Sequence, residues 1–152
     1  MGDPSFILDG MLGSLARWLR IAGYDSIYYR GLDDTLLLVE IMSFSRIMLT
    51  RDRELFQRSQ KLGLRSMYLE SEEVKVQLSH LKTELGVELS ATNSRCPRCN
   101  GSLRKTPKAD VQDLVPAESF NAFDEFWVCG TCSRAYWKGS HWEKIRETLD
   151  ST

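Results

Sequence analysis

Two groups of side chains in this 152-residue chain have the types and spacing for chemistry, one of thiols and one of carboxylates. The four cysteines fall in two short turns, Cys96-Pro-Arg-Cys99 and Cys129-Gly-Thr-Cys132. Each turn aims two thiolates at one point, and two such turns close a tetrahedral shell around zinc. Gly101 and Gly130 are read as supplying the permissive backbone of such knuckles. Residues 100–128 separate the turns, a longer stretch than the usual about 15–20 residues. A zinc ribbon tolerates this, because the metal fixes both ends and loop entropy grows slowly with length. The competing reading is a pair of disulfides or incidental thiols. His141 is a conceivable substitute ligand, but four cysteines already fill the shell.

The carboxylates follow apolar runs. Asp9 comes directly after Phe6-Ile7-Leu8, Asp33 and Asp34 lie beyond Ile27-Tyr28-Tyr29, and Asp52 ends Leu49-Thr50-Arg51-Asp52. Converging carboxylates repel one another unless a cation sits between them. Hard oxygen donors favour Mg²⁺ or Mn²⁺. Ions held this way, one or two about 3.5–4 Å apart, suit phosphodiester hydrolysis. Each acid alone could instead cap a helix, most plainly Asp33 or Asp34. Arg17 and Arg20, three apart on one helical side, and Arg51 and Arg53, which bracket Asp52, are candidate phosphate contacts. They could equally be solvated charges or local neutralisers of the acids.

Positioning these groups requires alternating elements. Strands are predicted at 6–8, 27–29, 47–49 and 66–69. Leu12, Leu15, Ala16 and Leu19 share one helical face, stopped by Gly23. Further helices are predicted through 36–42, from Arg53 to about Lys61 with Gly63 as its stop, and from Ser71, where Val74, Leu78, Leu81 and Leu85 share a face. Strand–helix alternation predicts an α/β fold with a parallel sheet and helices on both sides. The acids then gather at the strand carboxyl ends, where such sheets place their functional crevice. Residues 86–95, GVELSATNSR, have a linker-like composition. The chain is therefore divided into an α/β domain at 1–90 and a ribbon at 91–152, the second too small to hold together without its metal.

Composition narrows the classes. Twenty Lys and Arg against 21 Asp and Glu give a formal net charge of −1, which excludes a polybasic tail as the route to nucleic acid but leaves room for a local basic groove. No apolar run approaches the about 20 residues that span a bilayer. MGDPSFILDG lacks the basic start of a signal peptide, and Phe6 stands where a myristoylation signal wants Ser or Thr. A cytoplasmic chain with reduced cysteines and no membrane partner is expected. Ile7-Leu8-Asp9-Gly10 lacks the nucleophilic Asp two positions before Asp9 that a haloacid-dehalogenase-like phosphatase needs. Gly10 and Gly13 do not make a dinucleotide fingerprint.

Two sequence blocks, FILDGMLGSLARWLRIAGYD at 6–25 and LTRDREL at 49–55, closely resemble the mut-seven C-terminal RNase domain family, a PIN-like nuclease group. The ribbon blocks RCPRCNGSL at 95–103 and FWVCGTCSRAYWKGSHW at 126–142 resemble it too. The resemblance implies a PIN-like three-layer α/β/α domain, divalent-metal-dependent cleavage of RNA, and an acidic centre of Asp9, Asp34 and Asp52 binding magnesium or manganese. Glu54, Glu40 and Asp33 are candidates for further acids. Ser45 and Ser133 stand where the family pattern usually has Gly.

The ribbon is rich in rings: Phe120, Phe123, Phe126, Trp127, Tyr136, Trp137 and Trp142. Bases stack on such faces without sequence readout, although a small ribbon also needs aromatics for its own packing. Within Lys138-Gly139-Ser140-His141-Trp142, Lys138 and His141 are candidate RNA contacts; Arg98, Arg104, Lys105 and Lys108 could also engage phosphates. The expected function is a metal-dependent ribonuclease whose ribbon assists substrate binding. The alternative is a non-catalytic RNA- or ribosome-binding adaptor on the same fold. A regulatory protein partner and the oligomeric state are left open.

Overall fold

A computed structural model describes residues 3–30 and 34–152, without the side chains of residues 34, 40 and 42–44. Four short apolar runs form strands: β1 Phe6–Leu8, β2 Ser26–Tyr28, β3 Ile47–Thr50 and β4 Ser66–Tyr68. They pair in parallel in the order β2-β1-β3-β4. The intervening helices are α1 Gly13–Ile21, α2 Asp34–Phe44 and α3 Arg53–Lys61, followed by α4 Val74–Leu85.

Alternation along the strands sends side chains to two cores. Phe6, Leu8 and Leu49 meet Leu12, Leu15, Ala16 and Leu19 of α1 and Leu78 and Leu81 of α4. Ile7 and Met48, one residue out of step, meet Leu37, Leu38 and Ile41 of α2 and Leu55 of α3. The chain steps from β1 through α1 to β2, then crosses back over β1 to β3. The winding therefore reverses between β1 and β3. In sheets of this kind that switch point opens a crevice at the strand carboxyl ends.

The last third forms a three-stranded antiparallel sheet, β5 Leu103–Thr106, β6 Phe126–Cys129 and β7 Ala135–Tyr136. A short helix α5, Ala117–Ala122, lies between β5 and β6, and α6, Ser140–Asp150, closes the chain. Two features depart from the sequence reading. Residues 86–95 are not an open linker, since Val87 and Leu89 are buried in the first core. Leu149 of α6 joins the same core, with Ile145 packed against it, so the end of the chain returns to the parallel sheet. Among the described residues no helix is long and apolar enough to cross a membrane.

Candidate active site and metal centre

Asp9 leaves the end of β1 and Asp52 follows β3, so both flank the switch point. Asp9 is buried, 8% exposed, and its Oδ1 accepts the Met11 amide at 3.2 Å. Its Oδ2 accepts the hydroxyl of Thr50, a fully buried residue closing β3. The same Thr50 oxygen accepts the Asp52 amide at 2.9 Å. Asp52 in turn caps α3, its Oδ1 taking the amides of Glu54 at 2.9 Å and Leu55 at 3.1 Å. Helix capping and site formation are thus compatible in one carboxylate, because the cap uses only Oδ1. Among the described residues no Lys or Arg pairs with Asp9 or Asp52.

Asp34 is the first residue of α2, after the second strand, but its side chain lies outside the described residues, as do Asp33 and the side chain of Glu40. Glu54 is exposed in the first turn of α3. Thr50 was missed by sequence reasoning; its signal is a hydroxyl ending an otherwise apolar strand two residues before an acid. Tyr28 was missed as well. Its hydroxyl donates to the Gly10 carbonyl at 2.8 Å, and its ring lies against Gly13, walling the turn after Asp9.

The candidate arginines separate. Arg17 is exposed on α1. Arg20 is buried at the opposite end of the sheet from Asp9, with Nε donating to the Ser26 carbonyl at 2.9 Å and a terminal nitrogen to the Pro97 carbonyl at 3.0 Å. This placement makes Arg20 a strut between the first knuckle and β2, not a phosphate contact beside the acids. Arg51 bonds the Glu70 carbonyl at 3.2 Å and lies 3.7 Å from Glu72. Arg53 is exposed and stacks over Tyr68 at 4.9 Å. Lys138 lies over Trp127 and Trp142, and His141 is exposed at the start of α6.

The four cysteines converge. Their sulfurs all lie within 4.8 Å of one another, with Cys96–Cys132 at 3.8 Å and Cys99–Cys129 at 3.4 Å. The four are free thiols, and these spacings are far beyond an S–S bond of about 2.05 Å. They approach the tetrahedral edge of about 3.8 Å set by a metal–sulfur length of about 2.3 Å. Burial raises the Cys129 thiol, but the Cys132 and Thr131 amides and neighbouring sulfurs outweigh it and bring it to about 6. Burial and the other sulfurs push Cys99 up to about 12. Sulfurs so close compete for ionisation unless a cation joins them, which is the chemistry of a site for a metal such as zinc. The Tyr136 hydroxyl adds a 3.0 Å contact to the Cys96 sulfur.

Gly101 matters for space, since a Cβ there would stand 2.7 Å from the Cys129 sulfur. Neither Gly101 nor Gly130 has a left-handed φ, so the permissive-backbone reading of both is corrected. The left-handed knuckle residues are Asn100 and Ser133. Asn100 uses its amide to bind the parallel-sheet unit, accepting the Ser26 amide at 2.9 Å and donating to Asp25 at 2.7 Å.

Asp9, buried, and Asp52, half-buried, thus stand at the switch point of a parallel sheet, where α/β proteins of this class place their functional crevice. The Mut7-C RNAse domain matches residues 4–149, and the chain belongs to that family, which points to a ribonuclease-type function. No curated protein and no solved structure shows a significant similarity to it.

Proposed function

We propose that this chain is a divalent-metal-dependent ribonuclease, with Asp9, Asp52 and Asp34 as its acidic centre. The observation that carries the reading is the bridge through Thr50, which ties Asp9 to the backbone of Asp52 at the switch point of an RNAse-family chain. The donor set fits a hard cation: carboxylate oxygens, one of them buried, with no basic partner among the described residues. Mg²⁺ or Mn²⁺, when bound, would supply Lewis acidity toward a phosphodiester oxygen. Thr50 fixes the Asp9 rotamer, Asp52 keeps Oδ2 clear of its cap, and Tyr28 shapes the approach. Arg17, Arg51 and Arg53 are the basic side chains proposed to meet the RNA backbone, with Glu54 and Asp33 as further acid candidates.

The layering we read is PIN-like, with α1 and α4 on one face and α2 and α3 on the other. Residues 1–90 form the nuclease part and residues 91–152 a ribbon holding structural zinc through Cys96, Cys99, Cys129 and Cys132. Reduced thiols of this kind suit a cytoplasmic setting. Lys138 and His141 are proposed to help the ribbon hold substrate.

The test is cleavage of single-stranded and structured RNA in Mn²⁺ or Mg²⁺. Metal-dependent cleavage lost in Asp9→Asn is the expected result. A folded chain that binds RNA but cuts none of a broad panel would favour the adaptor reading instead.

A further inference from the structure

The aromatic residues of the ribbon divide between the two faces of its sheet. Phe126 packs with Val111 and Ala135, and Phe120, Phe123 and Trp137 close around them. Trp127 follows Phe126 in β6 and so points to the other face, where its register partner is Tyr136. That face borders a cavity of about 380 Å³, within the about 300–1,000 Å³ range of small-ligand sites.

The cavity is walled by Trp127, Trp142 and Tyr136 from the ribbon, with Trp137 reaching it from the Phe126 side, and by Asn93 and Arg95 from the segment before the first knuckle. Lys138 Nζ lies 5.3 Å from the centre of the Trp127 ring and 5.4 Å from that of Trp142. Arg95 is anchored through Nε to the Asn100 carbonyl at 3.0 Å. Among the described residues lining the cavity there is no Asp or Glu. Flat indole faces beside two cations, with no carboxylate to repel a phosphate, match one chemical class: an aromatic base joined to an anion.

We infer that this cavity holds one nucleotide of a single-stranded RNA, its base against the Trp127 and Trp142 indoles and its phosphate met by Lys138 and Arg95. The identification of the strand as RNA rests on the ribonuclease reading. Gly23, beyond the end of α1, also lines the cavity, so the site lies at the amino end of the sheet. Asp9 lies beyond the other end of α1. The nine residues of that helix, at about 1.5 Å each, separate the two sites by roughly 13 Å. This is a remote subsite that grips the strand away from the scissile bond.

The experiment measures binding of a labelled ten-nucleotide oligouridine by fluorescence anisotropy, with no divalent metal added and no chelator. Trp142→Ala is expected to weaken binding about tenfold, the size of one lost base stack. Trp142→Phe should recover most of that loss. Lys138→Ala should weaken binding and reduce the slope of log affinity against log salt by about 0.7. Because Lys138 is exposed, it carries the test if Trp142→Ala does not fold. Unchanged affinity in both alanine variants overturns the pocket, whatever the chain does to RNA in Mn²⁺. Binding of a basic peptide in preference to the RNA also overturns it. Trp142-dependent binding without any cleavage upholds the pocket and removes the ribonuclease reading.

Discussion

Thr50 donates its hydroxyl hydrogen to the Asp9 carboxylate and accepts the Asp52 amide at 2.9 Å, so one buried oxygen fixes both acids. Thr50→Val removes this bridge and leaves a buried carboxylate oxygen and an amide short of a partner. An unsatisfied buried polar group costs about 1–3 kcal/mol, so denaturant unfolding should show a loss of that order. Thr50→Ser keeps the hydroxyl and should retain most of the stability and the cleavage activity. Equal stability of the valine variant and the parent would contradict the bridge.

Ser133 and Ser45 adopt left-handed backbone, with φ of 62° and 54°. A side chain there costs about 1–2 kcal/mol, partly offset by the about 0.5–1 kcal/mol of extra chain entropy that glycine loses on folding. Ser133→Gly and Ser45→Gly should each stabilise the chain slightly, raising Tm by about 2–3 °C. A lower melting temperature in both variants would show that the serine side chains contribute more than their strain.

Gly101→Ala would force a methyl group into the cysteine cluster, 2.7 Å from the Cys129 sulfur. Metal analysis of the parent is expected to return about one zinc per chain, and the alanine variant much less. Gly130→Ala, whose Cβ would meet only Arg104 at 3.6 Å and the Ser102 carbonyl at 3.9 Å, should keep its metal. Full occupancy in the Gly101 variant would place the sulfurs elsewhere.

Asp25 accepts two bonds from Arg46, at 2.9 and 3.1 Å, and one from Asn100 of the first knuckle at 2.7 Å. Burial pushes its carboxyl up, but the Arg46 and Asn100 hydrogen bonds outweigh burial and hold it below the usual range. A depressed folded pKa means stability that is full above the unfolded value, about 3.9, and is lost as pH falls through the folded one. The stability gap between the parent and Asp25→Asn should therefore be constant above about pH 5 and close below about pH 4. Thermal melts across pH 3–7 measure it, and a gap that widened toward low pH would reverse the sign.

Local patterns were the legible part of this chain. Each strand of the parallel sheet is a short, mostly apolar run, the α1 face of Leu12, Leu15, Ala16 and Leu19 is buried as its spacing requires, and the paired cysteines converge. Meetings between distant segments were not legible. Arg20 and Asn100 are some 80 positions apart in sequence, and nothing in either neighbourhood announces that both grip Ser26. Residues 86–95 read as a linker because their polar residues outnumber Val87 and Leu89, the two that decide the packing. Gly101 shows the same limit. Its composition suggested a turn, while its need is set by a sulfur from the other knuckle.

The central claim is that Asp52 serves the reaction as well as the helix it caps. Asn caps a helix about as well as Asp, so Asp52→Asn should leave the melting temperature within a degree or two of the parent. The most direct measurement is the rate of RNA cleavage by this variant and the parent, side by side in Mn²⁺. Expected is a fall of at least about a hundredfold with the fold intact, the scale on which losing a key electrostatic group acts. Cleavage at the parental rate by a folded Asp52→Asn chain would contradict the account.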